Sequence, residues 1–302
     1  MIKKRFIKYW ILTVALQALA ITWVMAQNTL QVVTRTVTRE IPYKPGDSLL
    51  VEAEKATVQI SAWEKDYISL TLRLISKHNK LEVAKEELGF LQFKIGKTGV
   101  THQLKNYFKS DVGFKKVKGI LLSEYELKVP GNLLVTLKSQ YGRANITGLE
   151  SPVKVDTRFV ELELIECKAS QEVLAYFGNV NMVSTEGVAT IDLQRSDFSL
   201  TSHAGKATIN SSYGKVKIRS QELTGLEMKG NKTAVEIFAN DLKSYHFNLS
   251  ALYDRVFTPL GILRGIDDSR FQTENAGKAP TIRIETTYRP IELNLQNNVA
   301  DN

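Results

Sequence analysis

Three carboxylates and three bases are the side chains here whose spacing could do chemistry: Glu161, Glu163 and Asp197, with Lys215, Lys217 and Arg219. Clustered carboxylates on one face are what a glycoside hydrolase needs for its acid and its base, and a lysine or arginine base would suit a polysaccharide lyase. The residues in the same periodic positions are Arg143, Asn145, Asn179, Asn181, Lys215 and Lys217. Such a mixture of both charges and amides is what a solvated face carries. Lys215, Lys217 and Arg219 alone could also attract an acidic polysaccharide or phospholipid. The chain contains no GxSxG, no HExxH, no phosphate-binding glycine loop and no paired-cysteine motif. His78, His102, His203 and His246 have no metal-ligand spacing. The expectation is no catalytic, metal or cofactor residue, and a protein that is not an enzyme.

A second set is periodic by type. Tyr141, Phe159, Phe177, Arg195 and Tyr213 stand 18 residues apart, and Lys232 and Tyr253 continue the series with looser spacing. Seven rings and cations in one column are the candidate ligand face. They could stack sugars, or form a ladder that sets the register of the fold. Two cations among rings argue against full burial, since an unpaired buried charge is expensive. Arg195 is expected between Phe177 and Tyr213, in cation–π contact.

The elements that position this column follow from the same period. Four residues before each anchor stand Leu137, Val155, Val173, Ile191, Ile209, Met228 and Leu249; three after stand Ala144, Leu162, Val180, Phe198, Val216, Val235 and Val256. Apolar and polar residues alternate within each unit, which is strand period, and the parity flips after the anchor. Gly142, Gly178 and Gly214 follow their anchors and are expected to supply a positive φ at a bend. Repeats of this length signify stacked units. The expected fold is all-β: a parallel β-solenoid, or β-helix, of about 18-residue coils, with strands about 4.8 Å apart and one short helix in an N-terminal capping region. A β-sandwich of antiparallel strands is the alternative. Residues 49–60 and 282–293 also fit the template, so one coil is set apart from the rest by an inserted segment.

Three regions follow a leader. Met1 to Lys8 is basic, Tyr9 to Val24 is apolar, and Val24-Met25-Ala26 suits a signal peptidase, so residues 1–26 read as a signal peptide. An uncleaved anchor is the alternative, and would be the chain's one membrane contact. Residues 28–131 read as a β-rich cap containing a helix over 80–90, with Leu81, Ala84, Leu88 and Leu91 on its apolar face and Lys85, Glu86 and Glu87 opposite. Residues 132–302 carry the repeats, with an insertion over 259–281 holding Arg264, Asp267, Asp268, Arg270 and Glu274. Long insertions in repeat proteins become loops on one face.

Charge and cysteine limit the partners. Without its four leader bases the chain has 36 Lys and Arg against 32 Asp and Glu, too mild an excess to argue for nucleic acid. Cys167 is alone, so no internal disulfide staples the fold, and its place after an inward strand suggests a buried thiol.

The run from Asp47 through Trp63, with Val51, Val58, Ile60 and Trp63-Glu64-Lys65-Asp66, resembles the opening of a bacterial putative-adhesin family of unknown function. Gln140-Tyr141-Gly142, Tyr176-Phe177-Gly178 and Ser212-Tyr213-Gly214 are similar to that family's Gly-centred repeats. Val160, Ser196, Thr233 and Asp254 depart from its glycine. The resemblance implies a secreted β-solenoid of the cell envelope or surface, suggests adhesion to a protein or glycan, and transfers no catalytic residue. A carbohydrate-active β-helix enzyme and a periplasmic envelope-signalling component are the alternatives.

Overall fold

The computed structural model describes residues 29–109, 117–263, 268–274, 277 and 279–295. The expected signal peptide, residues 1–26, lies outside them, as do Arg264 and Asp267 of the insertion. The described chain is all-β with one helix. It begins with β1 (Gln31–Pro42), β2 (Ser48–Trp63), β3 (Tyr67–His78), helix α1 (Leu81–Leu88), β4 (Leu91–Thr98), β5 (Thr101–Phe108) and β6 (Ile120–Pro130). The repeat region holds β7 (Leu134–Thr147), β8 (Val153–Ile165), β9 (Gln171–Tyr176), β10 (Asn179–Val183), β11 (Glu186–Gln194), β12 (Asp197–Thr201), β13 (Ala204–Arg219) and β14 (Leu223–Ala239). The chain then forms β15 (His246–Leu252), β16 (Val256–Thr258), β17 (Gly261–Leu263), β18 (Asp268–Gln272), β19 (Thr281–Thr287) and β20 (Ile291–Leu295).

From β7 to β13 every pairing is parallel and offset by 18 residues, such as Val135 with Val153, Val155 with Val173, and Ile191 with Ile209. The offset becomes 19 between β13 and β14, after a register shift at Gly205/Lys206. This period turns alternation into a core. Leu137, Val155, Val173, Ile191, Ile209 and Met228 fall in adjacent strands and are 0–1 % exposed. The units anchored at Tyr141, Phe159, Phe177 and Arg195 turn at the anchor and again seven residues later, at Gly148, Glu166, Ser184 and Ser202, all of which have positive φ. The sequence pattern did not announce this second bend. Beyond it Leu149, Cys167, Thr185 and His203 are fully buried. Burial raises the Cys167 thiol pKa above its ordinary value, as an inert structural cysteine requires. Among these residues the Thr185 hydroxyl meets His203 Nδ1 at 2.9 Å, and burial lowers the His203 pKa.

Strand order departs from chain order at both ends. β2 pairs in parallel with β7 on one side, and with β5 and β6 on the other. The intervening chain extends the sheet outward: β3 lies antiparallel to β6, β1 to β3, and β4 to β5. At the far end β19 lies between β14 and β15, and β20 between β14 and β16, all in parallel. Outside them β18 pairs antiparallel with β15, and β17 with β16. The last template match is therefore internal, and residues of the expected insertion supply antiparallel edge strands.

Helix α1 is shorter than the expected 80–90, and one of its faces differs. Glu87, expected outside, is buried, and its carboxylate accepts the backbone N–H groups of Lys118 and Gly119 at 2.6 and 2.9 Å. A buried carboxylate holding two backbone donors is satisfied without a cation.

Candidate functional site: a corner ladder of rings and cations

All seven candidate residues occupy one kind of corner. Tyr141, Phe159, Phe177, Arg195, Tyr213, Lys232 and Tyr253 have φ between 51° and 62°, the left-handed region. Lys55 and Tyr288 share that conformation. The parity flip after the anchor thus has a single cause: the left-handed anchor re-aims the strand that follows.

Of the three glycines after the anchors, Gly142 has the expected positive φ, 155°, while Gly178 and Gly214 do not, and the left-handed φ of the bend belongs to the anchors. The glycines' shared requirement is close approach. A Cβ on Gly178 would lie 2.1 Å from the Val160 carbonyl oxygen, and one on Gly214 would lie 2.2 Å from that of Ser196. Alternate units carry Ala56, Val160 and Ser196 at this level, so glycine alternates with residues that keep a side chain.

The corner side chains stack. Tyr141 and Phe159 lie 5.1 Å apart at 2°, and Phe159 and Phe177 lie 4.9 Å apart at 10°. The Arg195 guanidinium lies 5.5 Å from the Phe177 centroid and 5.7 Å from that of Tyr213, as the sequence leads one to expect. Lys232 Nζ is 5.1 Å from the Tyr213 centroid and 5.9 Å from that of Tyr288, and Tyr288 stacks on Tyr253 at 5.0 Å. Tyr253 is therefore not next to Lys232: Tyr288 intervenes because β19 does. At the other end Lys55 lies over Phe108 at 5.2 Å. Phe108 ends an antiparallel hairpin outside the repeat template, so no periodic signal marks it. The rings are 45–56 % exposed from Tyr141 to Tyr288, which places the ladder half in solvent.

This geometry favours the ladder over a sugar platform along most of the column. Stacked rings cover one another's faces, and solvent meets their edges. A left-handed L-residue costs about 1–2 kcal/mol, and glycine would avoid that cost. Rings and cations stand there instead, and each stacked or cation–π contact returns about 0.5–1.5 kcal/mol.

The outward strand faces are engaged between units. Arg143 pairs with Glu161 at 2.6 Å, and Lys154 with Glu172 at 2.7 Å. Asn145 donates to Glu163 at 2.8 Å, and the Lys215 backbone N–H to Asp197 at 2.8 Å. Each of the three candidate carboxylates is thus occupied by a neighbouring unit. The basic stripe is occupied too: Lys215 and Lys217 meet Glu236 at 2.5 and 4.0 Å, and Arg219 lies 4.3 Å from the Phe238 ring centre. Exposed pairs of this kind contribute only about 0–1 kcal/mol each. Among the described residues no His, Cys, Asp or Glu group could hold a metal ion.

One polar cluster is buried. Asp47 and His102 are about 5 % exposed, and Asp47 accepts from Lys97 Nζ at 2.8 Å, meets His102 Nε2 at 3.0 Å, and accepts from the Lys44 backbone at 3.1 Å. The Lys97 and His102 hydrogen bonds hold its carboxyl at about 2, below the ordinary value. The cluster ties the turn before β2 to the β4–β5 hairpin. A depressed folded-state pKa adds stability above the ordinary carboxylate value that is lost as pH falls through the folded one. Thermal melts should therefore show the wild type losing stability between about pH 4 and pH 2. Asp47→Asn should melt lower at pH 7 and change less across that window; parallel pH curves would count against the assignment.

No family model matches the chain, and no curated protein matches it. Solved structures give distant likenesses. A putative adhesin from Bacteroides fragilis aligns at 11% identity over 86% of this chain and 97% of its own, with a TM-score of 0.43. A putative adhesin from Parabacteroides merdae aligns at 10% identity over 86% and 96%, with a TM-score of 0.41. A putative lipid binding protein from Parabacteroides distasonis aligns at 12% identity over 87% and 97%, with a TM-score of 0.39.

Proposed function

We propose that this chain is an exported, non-catalytic β-solenoid that presents its strand faces to a protein or glycan of the cell envelope or surface. The solenoid reading rests on the unbroken 18-residue parallel offset from β7 to β13. Export rests on the basic and apolar leader that ends at Val24-Met25-Ala26. The antiparallel strands β1, β3, β4, β17 and β18 serve as caps, closing ends that would otherwise expose rows of parallel-strand donors and acceptors. Binding without turnover is supported by the occupation of Glu161, Glu163 and Asp197, each committed to a neighbouring unit.

The test combines cell fractionation and N-terminal sequencing with glycan arrays, pull-downs from envelope extracts and polysaccharide depolymerisation assays. An exported chain beginning near Gln27 that retains an envelope component without turnover is the expected result. Cytosolic protein, or turnover that depends on Glu161, Glu163 or Asp197, would overturn the reading. Alanine at Phe177 or Tyr213 should lower the melting temperature by a few degrees before it alters retention, since Phe177 loses one stacking and one cation–π contact and Tyr213 two cation–π contacts, worth about 0.5–1.5 kcal/mol apiece. Unchanged melts with lost retention would make the ladder itself the binding face.

A further inference from the structure

We propose that the end of the sheet formed by β1, β3 and β6 is a membrane-docking patch, whose exposed aliphatic side chains enter an anionic bilayer surface while the lysines among them meet its headgroups. This goes beyond the reading of the strand faces as a protein or glycan surface and shares with it only export.

The patch follows from strand register. Val32, Lys77 and Ile120 lie directly opposite one another across β1, β3 and β6, and Thr34, Ile75 and Leu122 form the next row on the same face. Val32 is 55 % exposed and Ile120 is 56 % exposed, while Ile75 is only 7 % exposed among these neighbours. Leu30, also exposed, stands two residues before Val32, and the exposed Val117 stands three before Ile120. The third row is polar: Thr36, Arg73 and Glu124, with Arg73 and Glu124 paired at 2.9 Å, end the patch. Farther along the same face the outward residues are Gln59, Ser61, Arg143 and Asn145, again polar. The rim of the patch is fixed. The buried Glu87 carboxylate holds the backbone N–H groups of Lys118 and Gly119, which lie between Val117 and Ile120. A Cβ on Gly119 would lie 2.6 Å from the Lys77 carbonyl oxygen, so this segment is pressed against β3. Adjacent aliphatic side chains held out to solvent on a fixed sheet end mark a contact surface.

Charge and the course of the chain identify the occupant. Lys77 lies within the patch, Lys118 at its rim and Lys80 just before α1, and none of the three pairs with a carboxylate among the described residues. On α1 Glu82 pairs with Lys85 and Glu87 is buried, which leaves Glu86 against three lysines. Aliphatic groups set among lysines suit the boundary between the headgroups and acyl chains of an anionic leaflet. A second copy of this chain suits them less, because a twofold contact through this face brings lysines against lysines. The leader supplies an independent argument. Its apolar run ends at Val24, six residues before Leu30, and six extended residues reach no more than about 20–22 Å. The patch is therefore within that reach of the membrane while the leader is attached. The sequence offers the leader as the chain's membrane contact; the patch is a second one, which cleavage does not remove.

The test is co-sedimentation of the exported chain, from Gln27 onward, with vesicles of phosphatidylethanolamine and phosphatidylglycerol, and with phosphatidylcholine vesicles as the neutral control. Binding to the anionic vesicles is expected, at least tenfold weaker on the neutral ones and weakened by added salt. The double variant Val32→Glu, Ile120→Glu should melt as wild type, because both side chains are more than half exposed, and bind at least tenfold more weakly. Lys77→Glu should weaken binding to the anionic vesicles and leave the neutral ones unchanged. Val188 is the control: it is 53 % exposed on β11, where its strand neighbour is Lys206, and Val188→Glu should bind as wild type. A second readout does not depend on these variants. Cys167 is buried, so a polarity-sensitive fluorophore on Val32→Cys reports that site alone, and its emission should shift to the blue on anionic vesicles. The same label on Val188→Cys should not shift. No binding to anionic vesicles, wild-type binding by the double variant, or an unshifted label at Val32→Cys would each overturn the proposal. So would a lipid-free dimer, seen by analytical ultracentrifugation, that the double variant breaks, since the face would then join two copies. Retention of an envelope protein or glycan by the strand faces is measured separately and survives any of these outcomes.

Discussion

Ile209→Asp is expected to lower stability by more than about 4 kcal/mol, enough to leave the repeat region without a cooperative melt. Ile209 is 0 % exposed and lies between Ile191 on β11 and Met228 on β14, both equally buried. A carboxylate there has apolar neighbours on both sides. Strands fixed by ladders above and below cannot turn a single inward residue out to solvent, because the side-chain period is two. Lys215→Ala is the control. Its side chain is half exposed and its partner Glu236, about one-fifth exposed, still has Lys217 beside it, so the loss should stay within about 1 kcal/mol. The Lys215 pKa is raised by the Glu236 hydrogen bond, and an exposed pair of this kind is screened by solvent. Differential calorimetry of both variants decides it: comparable losses would mean that inward and outward columns are wrongly assigned.

Ending the chain at Pro280 should cost as much, by a different route. The lost segment includes Ile282, Ile284 and Ile291, all fully buried, and Leu293, which is 2 % exposed. Four aliphatic side chains removed from a core forfeit on the order of 6–12 kcal/mol of burial. The loss falls between β14 and β15, so the strands beyond it lose their parallel neighbour. Limited proteolysis should then cut within residues 240–280 while the units from β7 to β13 stay protected. Wild-type melting by the Pro280 form would show that β15 can close directly onto β14.

The core columns were legible from period alone, because one side of every strand is sealed and the side-chain period is two. Leu137, Val173 and Ile209 needed no further information. Neighbour identity was not legible. Alternation says which face turns inward, and residues 282–293 match the template equally well wherever they pair. The clues to their internal position were indirect: the loosened spacing at Lys232 and Tyr253, and the long gap before Tyr288. The glycine signal was visible but read in one sense only: Gly142 has positive φ, whereas Gly178 and Gly214 avoid a carbonyl oxygen without it, and both needs are written as glycine. At the candidate site, the column and the place of Arg195 were readable from spacing. Phe108 was not, because antiparallel strands interrupt the period before it. Nor was the contact of Lys232 with Tyr288, which depends on β19 lying beside β14.

The out-of-order ends have a consequence for length. From β8 to β12 each strand meets only strands 18 residues away, so no contact there refers to position along the whole chain. Adding or deleting one such unit preserves every kind of contact and moves the two ends relative to one another by one strand spacing, about 4.8 Å. The ends tolerate no such change, because β2 and β19 are each clasped between segments distant in sequence. The middle of the protein is thus a ruler graduated in whole units, held between two fixed fittings, and its reach is a matter of copy number.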